Sequence, residues 1–236
     1  MSLSQSDHIV SSYGDELTRL AQWISEMGGQ VEVAIANGTQ ALLKLDRELA
    51  EATIQADKAI DEKQRHIDEM AVSMIARRQP MASDLRMIIT SIHVANDLER
   101  VGDMAKQLAK RTLKIEGLTL QPKLYNGIKH MTDLILRQIK EALDAYATRN
   151  SAAAIGVCNR DDEVDALHTS LFRELLTYMM EDPRNITACT HLLFCAKSLE
   201  RIGDHATNIA EHAFYLDTGR HLGQGVEELT RTKSMA

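Results

Sequence analysis

Apolar and small residues recur at steps of three and four along most of this chain, and such spacing is typical of helices that bury one face. The first segment with this pattern is long enough for a helix of about eight turns at 3.6 residues per turn. The pattern restarts after an interruption at Gly117 and Pro122. The first apolar face consists of Leu17, Leu20, Ile24, Met27, Val31, Ala34, Gly38, Leu42 and Leu45, and the restarted face consists of Leu124, Ile128, Met131, Ile135, Ile139, Ala142 and Tyr146.

Two prolines predict where other helices end, because Pro cannot continue a helix and disfavours helical geometry in the residue before it. Pro80 follows one predicted helix and Pro183 follows another. Only 3 Pro and 12 Gly interrupt 236 residues that are rich in good helix formers, so we predict an all-α fold with six long helices. After the first, the predicted helices span about 46–78, 81–115, 124–146, 151–181 and 184–216.

The second half of the chain repeats the first half with a period of about 100 residues. The clearest match joins the Leu-Glu-Arg-Val-Gly-Asp segment at 98–103 to the Leu-Glu-Arg-Ile-Gly-Asp segment at 199–204. Two tandem three-helix bundles account for the repeat, because each bundle can bury the apolar faces of its own helices. We predict the bundles at 1–117 and 118–218 and a loosely ordered tail at 219–236. The other matching segments are Asp57–Asp61 with Asp161–Asp165 and Arg78–Pro80 with Glu181–Pro183.

Charge and composition narrow the class of protein. A net charge of −7 argues against nucleic acid as a partner, since a phosphate backbone requires a basic surface. The first ten residues lack the basic and apolar regions of a signal peptide, and no run approaches the 18 or more apolar residues of a membrane span. We therefore expect a cytoplasmic protein without a transmembrane segment.

Carboxylates follow the repeat, in two pairs per half, and the two acids of each pair are four residues apart on one helical face. Glu99 lies in line with apolar positions of its helix, so this face is predicted to be buried. Asp61 precedes Pro80 by 19 residues and Glu99 follows it by 19. At about 1.5 Å per residue, a hairpin that bends at Pro80 brings these acids to the same height. The pairs are Asp57 with Asp61, Glu99 with Asp103, Asp161 with Asp165, and Glu200 with Asp204.

Four carboxylates that face one another inside a bundle require bound cations, basic neighbours or raised pKa values. Oxygen ligands suit Fe, Mn, Mg or Ca better than a structural zinc, which prefers Cys and His. His168 and His205 are near the second set of acids and are candidates either for an added ligand or for an ordinary hydrogen bond. Gly102 and Gly203 are unfavourable inside helices, and they predict a close approach of a neighbouring helix.

The chain resembles the PhoU family, the accessory proteins of phosphate-specific transport systems. The duplicated segments that end at Asp103 and Asp204 carry the resemblance, which spans nearly the whole chain. Further matching segments are Met27–Gly29, Ile75–Arg86 and Thr177–Arg184.

The resemblance implies two three-helix bundles and a cytoplasmic negative regulator of the phosphate-starvation response. Such a regulator links a phosphate ABC transporter ATPase to a sensor histidine kinase, so it is expected at the inner membrane face through its partners. The resemblance also implies metal clusters on the acid motifs. The implied ligands are Asp57, Asp61, Glu99, Asp103, Asp161, Asp165, Glu200 and Asp204. A homodimer is expected, although no motif specifies one.

Two other classes of protein are compatible with the same acids. One is a metal-dependent enzyme or an ion-storage bundle, although the Glu-x-x-His element of di-iron bundles is missing. The other is a structural helical protein with water-filled acidic grooves. The chain has no phosphate-binding Gly-rich loop, no nucleophile elbow and no His-Glu-x-x-His motif, so a regulatory adaptor without catalysis is the leading hypothesis.

Overall fold

The computed structural model of this protein describes residues 3–115 and 124–222, which form helices and turns without any strand. The predicted all-α fold, with two repeats of a three-helix bundle and six long helices, is confirmed. The boundary predicted at 117 and 118, and the predicted tail beyond residue 222, lie outside the described residues. The helices are α1 (Leu3–Lys44), α2 (Arg47–Arg78), α3 (Ala82–Ile115), α4 (Leu124–Thr148), α5 (Ser151–Cys158), α6 (Asp161–Glu181) and α7 (Ile186–Thr218), with a short 3-10 helix at Pro183–Asn185.

The first bundle consists of α1, α2 and α3, which pack against one another. Asp46 caps the start of α2, where its carboxylate accepts a hydrogen bond of 3.0 Å from the backbone N–H of Leu49. At the other end of α2 the chain bends at Pro80, as predicted. A hydrogen bond of 2.9 Å from Gln64 to Asn96 joins α2 to α3 at residues equally distant from Pro80. The two helices are therefore in the register that the spacing of the acids predicts.

The second bundle consists of α4 to α7, and here one predicted helix is wrong. The segment 151–181 does not form a single helix, because α5 ends at Cys158 and α6 begins at Asp161. Three acids fill the first turn of α6, where the partial positive charge of the helix amino end favours them. In the turn between the helices, Arg160 forms an ion pair with Glu141 of α4. The acidic run at 161–163 is thus a helix-start signal that apolar periodicity alone does not reveal.

The two bundles pack side by side, mainly through α3 and α7. Arg86 near the start of α3 lies 5.8 Å from the ring centre of Tyr215 near the end of α7. Arg111 near the end of α3 lies 4.2 Å from the ring centre of Phe194 near the start of α7. The helices α3 and α7 are therefore antiparallel, and the two proline bends lie at opposite ends of the molecule.

One apolar core extends through both bundles. Two pairs of hydroxyl groups buried between the bundles lie within hydrogen-bond distance, since those of Thr39 and Thr132 are 3.1 Å apart and those of Ser91 and Tyr146 are 2.8 Å apart. Within residues 3–115 and 124–222, no helix carries an apolar stretch long enough to cross a bilayer.

Candidate functional site

The first acid cluster consists of Asp57 and Asp61 on α2 and of Glu99 and Asp103 on α3. Asp57 is buried, with 2% of its surface exposed, and the other three acids are partly exposed. The charges of Asp61 and Glu99 each interact with the acids of the facing helix, so all four are neighbours. The bend at Pro80 therefore brings the two pairs together as their spacing predicts.

Two acids of the first cluster, Asp61 and Glu99, have raised pKa values. Burial raises the pKa of Asp61, and the charges of Asp57 and Asp103 raise it further. Burial also raises the pKa of Glu99; the charge of Arg100 lowers it, and the other three acids raise it further. A carboxyl pKa rises in this way when its ionised form loses water or faces like charges. A cation is therefore favoured at this cluster.

A lysine that the sequence analysis missed supplies one such positive charge. The Nζ atom of Lys106 forms an ion pair with Asp57 and lies 3.5 Å from Oδ1 of Asp103. The hydrogen bond to Asp57 raises the pKa of Lys106. The Lys106 side chain is 24% exposed and that of Asp57 is 3% exposed, so the pair is largely shielded from water. The available signal was the spacing, because Lys106 follows Asp103 by three residues on the same helical face.

Gly102 creates the space in which Asp57 lies. A Cβ atom at this position would lie 3.1 Å from Cδ1 of Ile60 and 3.4 Å from Oδ1 of Asp57. That Oδ1 atom is buried and has no hydrogen-bond partner among the described residues. In the second bundle, a Cβ at Gly203 would lie 3.3 Å from Cγ1 of Val164. The predicted close approach of helices at both glycines is confirmed.

The second acid cluster consists of Asp161 and Asp165 on α6 and of Glu200 and Asp204 on α7. Asp165 and Asp204 are exposed, and the other two acids are partly exposed. Burial raises the pKa of Asp204, and the charges of Glu200, Asp161 and Asp165 raise it further, while Lys197 lowers it. The second set of acids is therefore also assembled, in a setting more open to water than the first.

Two side chains, those of Thr207 and Lys197, interact with acids of the second cluster. Oγ1 of Thr207 donates a hydrogen bond of 3.0 Å to Oδ1 of Asp161. Lys197 forms an ion pair with Glu200, which lies three residues later on the same helix. The Lys197 side chain is 54% exposed, and such surface pairs contribute on the order of 0–1 kcal/mol. Thr207 occupies the position of the repeat that Lys106 occupies in the first half.

Neither cluster is arranged as a finished metal site. Among residues 3–115 and 124–222, no group of three or more His, Cys, Asp or Glu side chains is placed to hold a metal ion. The donor chemistry fits a hard cation, because all eight predicted ligands are carboxylates and Oδ1 of Asp57 lacks a hydrogen-bond partner in this part of the chain. The two lysines and the threonine described above contact four of these acids, so metal binding requires their side chains to turn.

A polar site that the sequence analysis missed joins the two bundles. Asp97 of α3 accepts hydrogen bonds from three side chains of α7, namely His205 at 2.9 Å, Asn208 at 3.2 Å and His212 at 3.3 Å. Burial opposes ionisation of Asp97, but these hydrogen bonds outweigh burial and lower its pKa to about 2. His205, a candidate metal ligand from its sequence position, thus makes an ordinary hydrogen bond, and His168 is partly exposed.

Comparison with known proteins identifies similar sequences over almost the whole chain. A family model described as the PhoU domain matches residues 24–112 and 128–213, once in each bundle. The phosphate-specific transport system accessory protein PhoU homolog of Rhizobium meliloti (strain 1021) is 55% identical over 212 residues, which cover 90% of each chain. The protein of the same name from Caulobacter vibrioides (strain NA1000 / CB15N) is 47% identical over 216 residues, covering 92% of this chain and 94% of that relative.

Solved structures share the fold. The crystal structure of PhoU from Pseudomonas aeruginosa superposes with a TM-score of 0.85 and 39% identity, and it covers 88% of this chain and 100% of that chain. The phosphate transport system regulatory protein PhoU from Streptococcus pneumoniae superposes with a TM-score of 0.82 and 30% identity, covering 89% of this chain and 99% of that chain. The resemblance drawn from the sequence is confirmed.

Proposed function

The chain belongs to the PhoU family, and from this membership we propose that it is an accessory protein of phosphate-specific transport that represses the phosphate-starvation response. The observation that carries the proposal is the 55% identity to the Rhizobium meliloti accessory protein over 90% of both chains. Its relatives are accessory and regulatory proteins, so the prediction that the chain is not an enzyme is confirmed.

In this proposal the protein acts in the cytoplasm as an adaptor. It contacts the ATPase of a phosphate ABC transporter and a sensor histidine kinase, and it keeps the kinase from activating its response regulator when phosphate is plentiful. The name of the Streptococcus pneumoniae protein, a phosphate transport system regulatory protein, supports both a transporter and a regulatory output. A homodimer is the assembly that we propose.

We further propose that both acid clusters bind hard metal ions such as Fe, Mn, Mg or Ca. Asp57, Asp61, Glu99 and Asp103 would hold the metal in the first bundle, and Asp161, Asp165, Glu200 and Asp204 in the second. A bound metal would supply positive charge that allows all the acids of a cluster to ionise together. The raised pKa values of Asp61, Glu99 and Asp204 support this proposal, since these acids lack sufficient positive charge around them.

Complementation tests the regulatory role directly. Rhizobium meliloti that lacks its own PhoU homolog should express a phosphate-starvation reporter in high phosphate, and expression of this chain should restore repression. The control is the Rhizobium meliloti protein expressed to the same level from the same promoter. A reporter that stays active while this chain is present at the control level would contradict the proposal.

Affinity capture from detergent-solubilised membranes tests the adaptor role. The tagged wild type should retain the transporter ATPase and the kinase, whereas E99A/D103A should retain less of both if the first cluster shapes the contact surface. The matched control is D133A/D144A, which removes two exposed acids of α4 and makes the same change in net charge. Wild-type protein that retains neither partner would overturn the adaptor role and leave the family membership intact.

A further inference from the structure

The two clusters differ in charge three residues after the last acid of each motif. The third residue after Asp103 is Lys106, and the third residue after Asp204 is Thr207. Both side chains reach the equivalent acid on the preceding helix, since Lys106 contacts Asp57 and Thr207 contacts Asp161. The same place beside the acids is therefore filled by an ammonium in one bundle and by a hydroxyl in the other.

Lys106 is more shielded from water than the lysine of the second cluster. It bridges two helices, because it pairs with Asp57 of α2 and lies 3.5 Å from Asp103 of α3. Lys197 pairs with Glu200 within a single helix, and its side chain is 54% exposed against 24% for Lys106. An exposed pair within one helix is weak and dissociates readily, whereas a shielded pair between helices holds its ammonium in place.

We infer that Lys106 acts as a built-in cation of the first cluster, so that the second cluster takes up metal first and the first cluster binds metal only when Lys106 is displaced. This inference rests on the proposal that the clusters bind metal. The unpaired Oδ1 of buried Asp57 shows that the ammonium satisfies only part of the negative charge there. A divalent ion would replace one charge by two, but it would have to expel Lys106 from between its partners.

Mn²⁺ titration monitored by electron paramagnetic resonance of the free ion measures each cluster separately. D161N/D204N disables the second cluster and D57N/D103N disables the first, so each variant reports on the cluster that it retains. In the D161N/D204N background, Lys106→Thr should tighten Mn²⁺ binding by about tenfold or more, and Mn²⁺ should also raise the melting temperature of that variant. In the D57N/D103N background, Thr207→Lys should weaken binding by a similar factor.

Circular dichroism and the melting temperature report whether each variant folds, and the Thr207→Lys arm remains informative if Lys106→Thr does not fold. Equal Mn²⁺ affinity of the first cluster with and without Lys106 would overturn the inference, as would unchanged binding in Thr207→Lys. If neither wild-type cluster binds but Lys106→Thr does, the proposed metal sites fail while the role of Lys106 stands. If no variant binds Mn²⁺, both proposals fail, and the complementation test still judges the regulatory function independently.

Discussion

The two bundles carry the same acid motif at different places along their helices. Asp57 lies well inside the 32-residue α2, whereas Asp161 is the first residue of α6. An acid inside a helix gains nothing from the helix dipole, but an acid in the first turn is stabilised by the partial positive charge of the amino end. Asp57 is also buried, while Asp161 is partly exposed. The buried acid therefore requires a lysine where a threonine suffices for the other.

The repeated motif determines which acids lie close together. The position of a helix end determines how the negative charge of those acids is balanced. The break between α5 and α6 is the structural origin of the difference, because it places Asp161 at a helix terminus. Substitutions at matched positions of the two bundles can test each part of this explanation.

The largest effect is expected at Lys106, whose counterpart in the second bundle is the uncharged Thr207. Lys106→Met leaves Asp57 buried among three other acids without its cation, so the free energy of unfolding should fall by about 2–4 kcal/mol in EDTA at pH 7. Thr207→Val removes one hydrogen bond at a partly exposed acid and should cost about 1 kcal/mol. Urea denaturation measures both. Lys129→Met, at a lysine that is 65% exposed, is the control, and equal losses for the two main variants would contradict the comparison.

Substitution of Asp97 tests how much the contact between the two bundles contributes to the free energy of unfolding. Asp97→Asn should lower the free energy of unfolding by about 1–2 kcal/mol at pH 7, because the folded state holds the carboxylate in its ionised form. A lowered carboxyl pKa stabilises the fold fully above the unfolded pKa near 3.9, and this stabilisation is lost as pH falls towards about 2. The difference between wild type and variant should thus shrink as the pH falls between about pH 4 and 2. Asp133→Asn, an exposed change of the same type, should show no such trend.

The mid-helix glycines should respond differently to the same substitution. Gly102→Ala places a methyl group 3.1 Å from Ile60 and 3.4 Å from the Asp57 carboxylate, so it should cost about 1 kcal/mol despite better helix propensity. Gly203→Ala places its methyl group 3.3 Å from Val164 and 3.6 Å from Oε1 of Gln138, so it should change stability by less than about 0.5 kcal/mol. Thermal melts compare the stability of the two variants. A larger loss of stability in Gly203→Ala would show that the helices of the first cluster are not the more closely packed ones.

The smallest effects are expected at the helix caps. Asp46 caps the long α2 and Asn150 caps the eight-residue α5, where its side chain accepts a hydrogen bond from the N–H of Ala153. Asp46→Ala should lower global stability by about 1 kcal/mol. Asn150→Ala should mainly increase amide hydrogen exchange within α5, because a short helix can open locally. Uniform loss of protection throughout the second bundle would show that α5 does not open by itself.

The sequence predicts most of the fold because its strongest signals are local. Apolar steps of three and four mark the helices, and Pro80 and Pro183 mark both hairpin bends. The meeting of the acids follows from the same register, which the contact of Gln64 with Asn96 reproduces. The break at Asn159 and Arg160 escaped prediction because the apolar pattern continues on both sides of it.

The features that the sequence did not reveal depend on contacts between elements. Lys106 has a flexible side chain, and only the packing of α2 against α3 selects the conformation that reaches Asp57. Asp97 meets His205 and His212 across the two bundles, and an internal repeat describes contacts within each half rather than between them. The spacing of His205, Asn208 and His212 places them on one helical face. It does not indicate which residue of another helix contacts that face.

The antiparallel contact of α3 and α7 also places the two proline bends far apart. α3 has 34 residues and is about 50 Å long, and the two proline bends lie at its opposite poles. A small domain of another protein that bound at one end of the molecule would leave the other end exposed. Under the proposed adaptor role, the two repeats would therefore offer separate ends of the molecule to two partners.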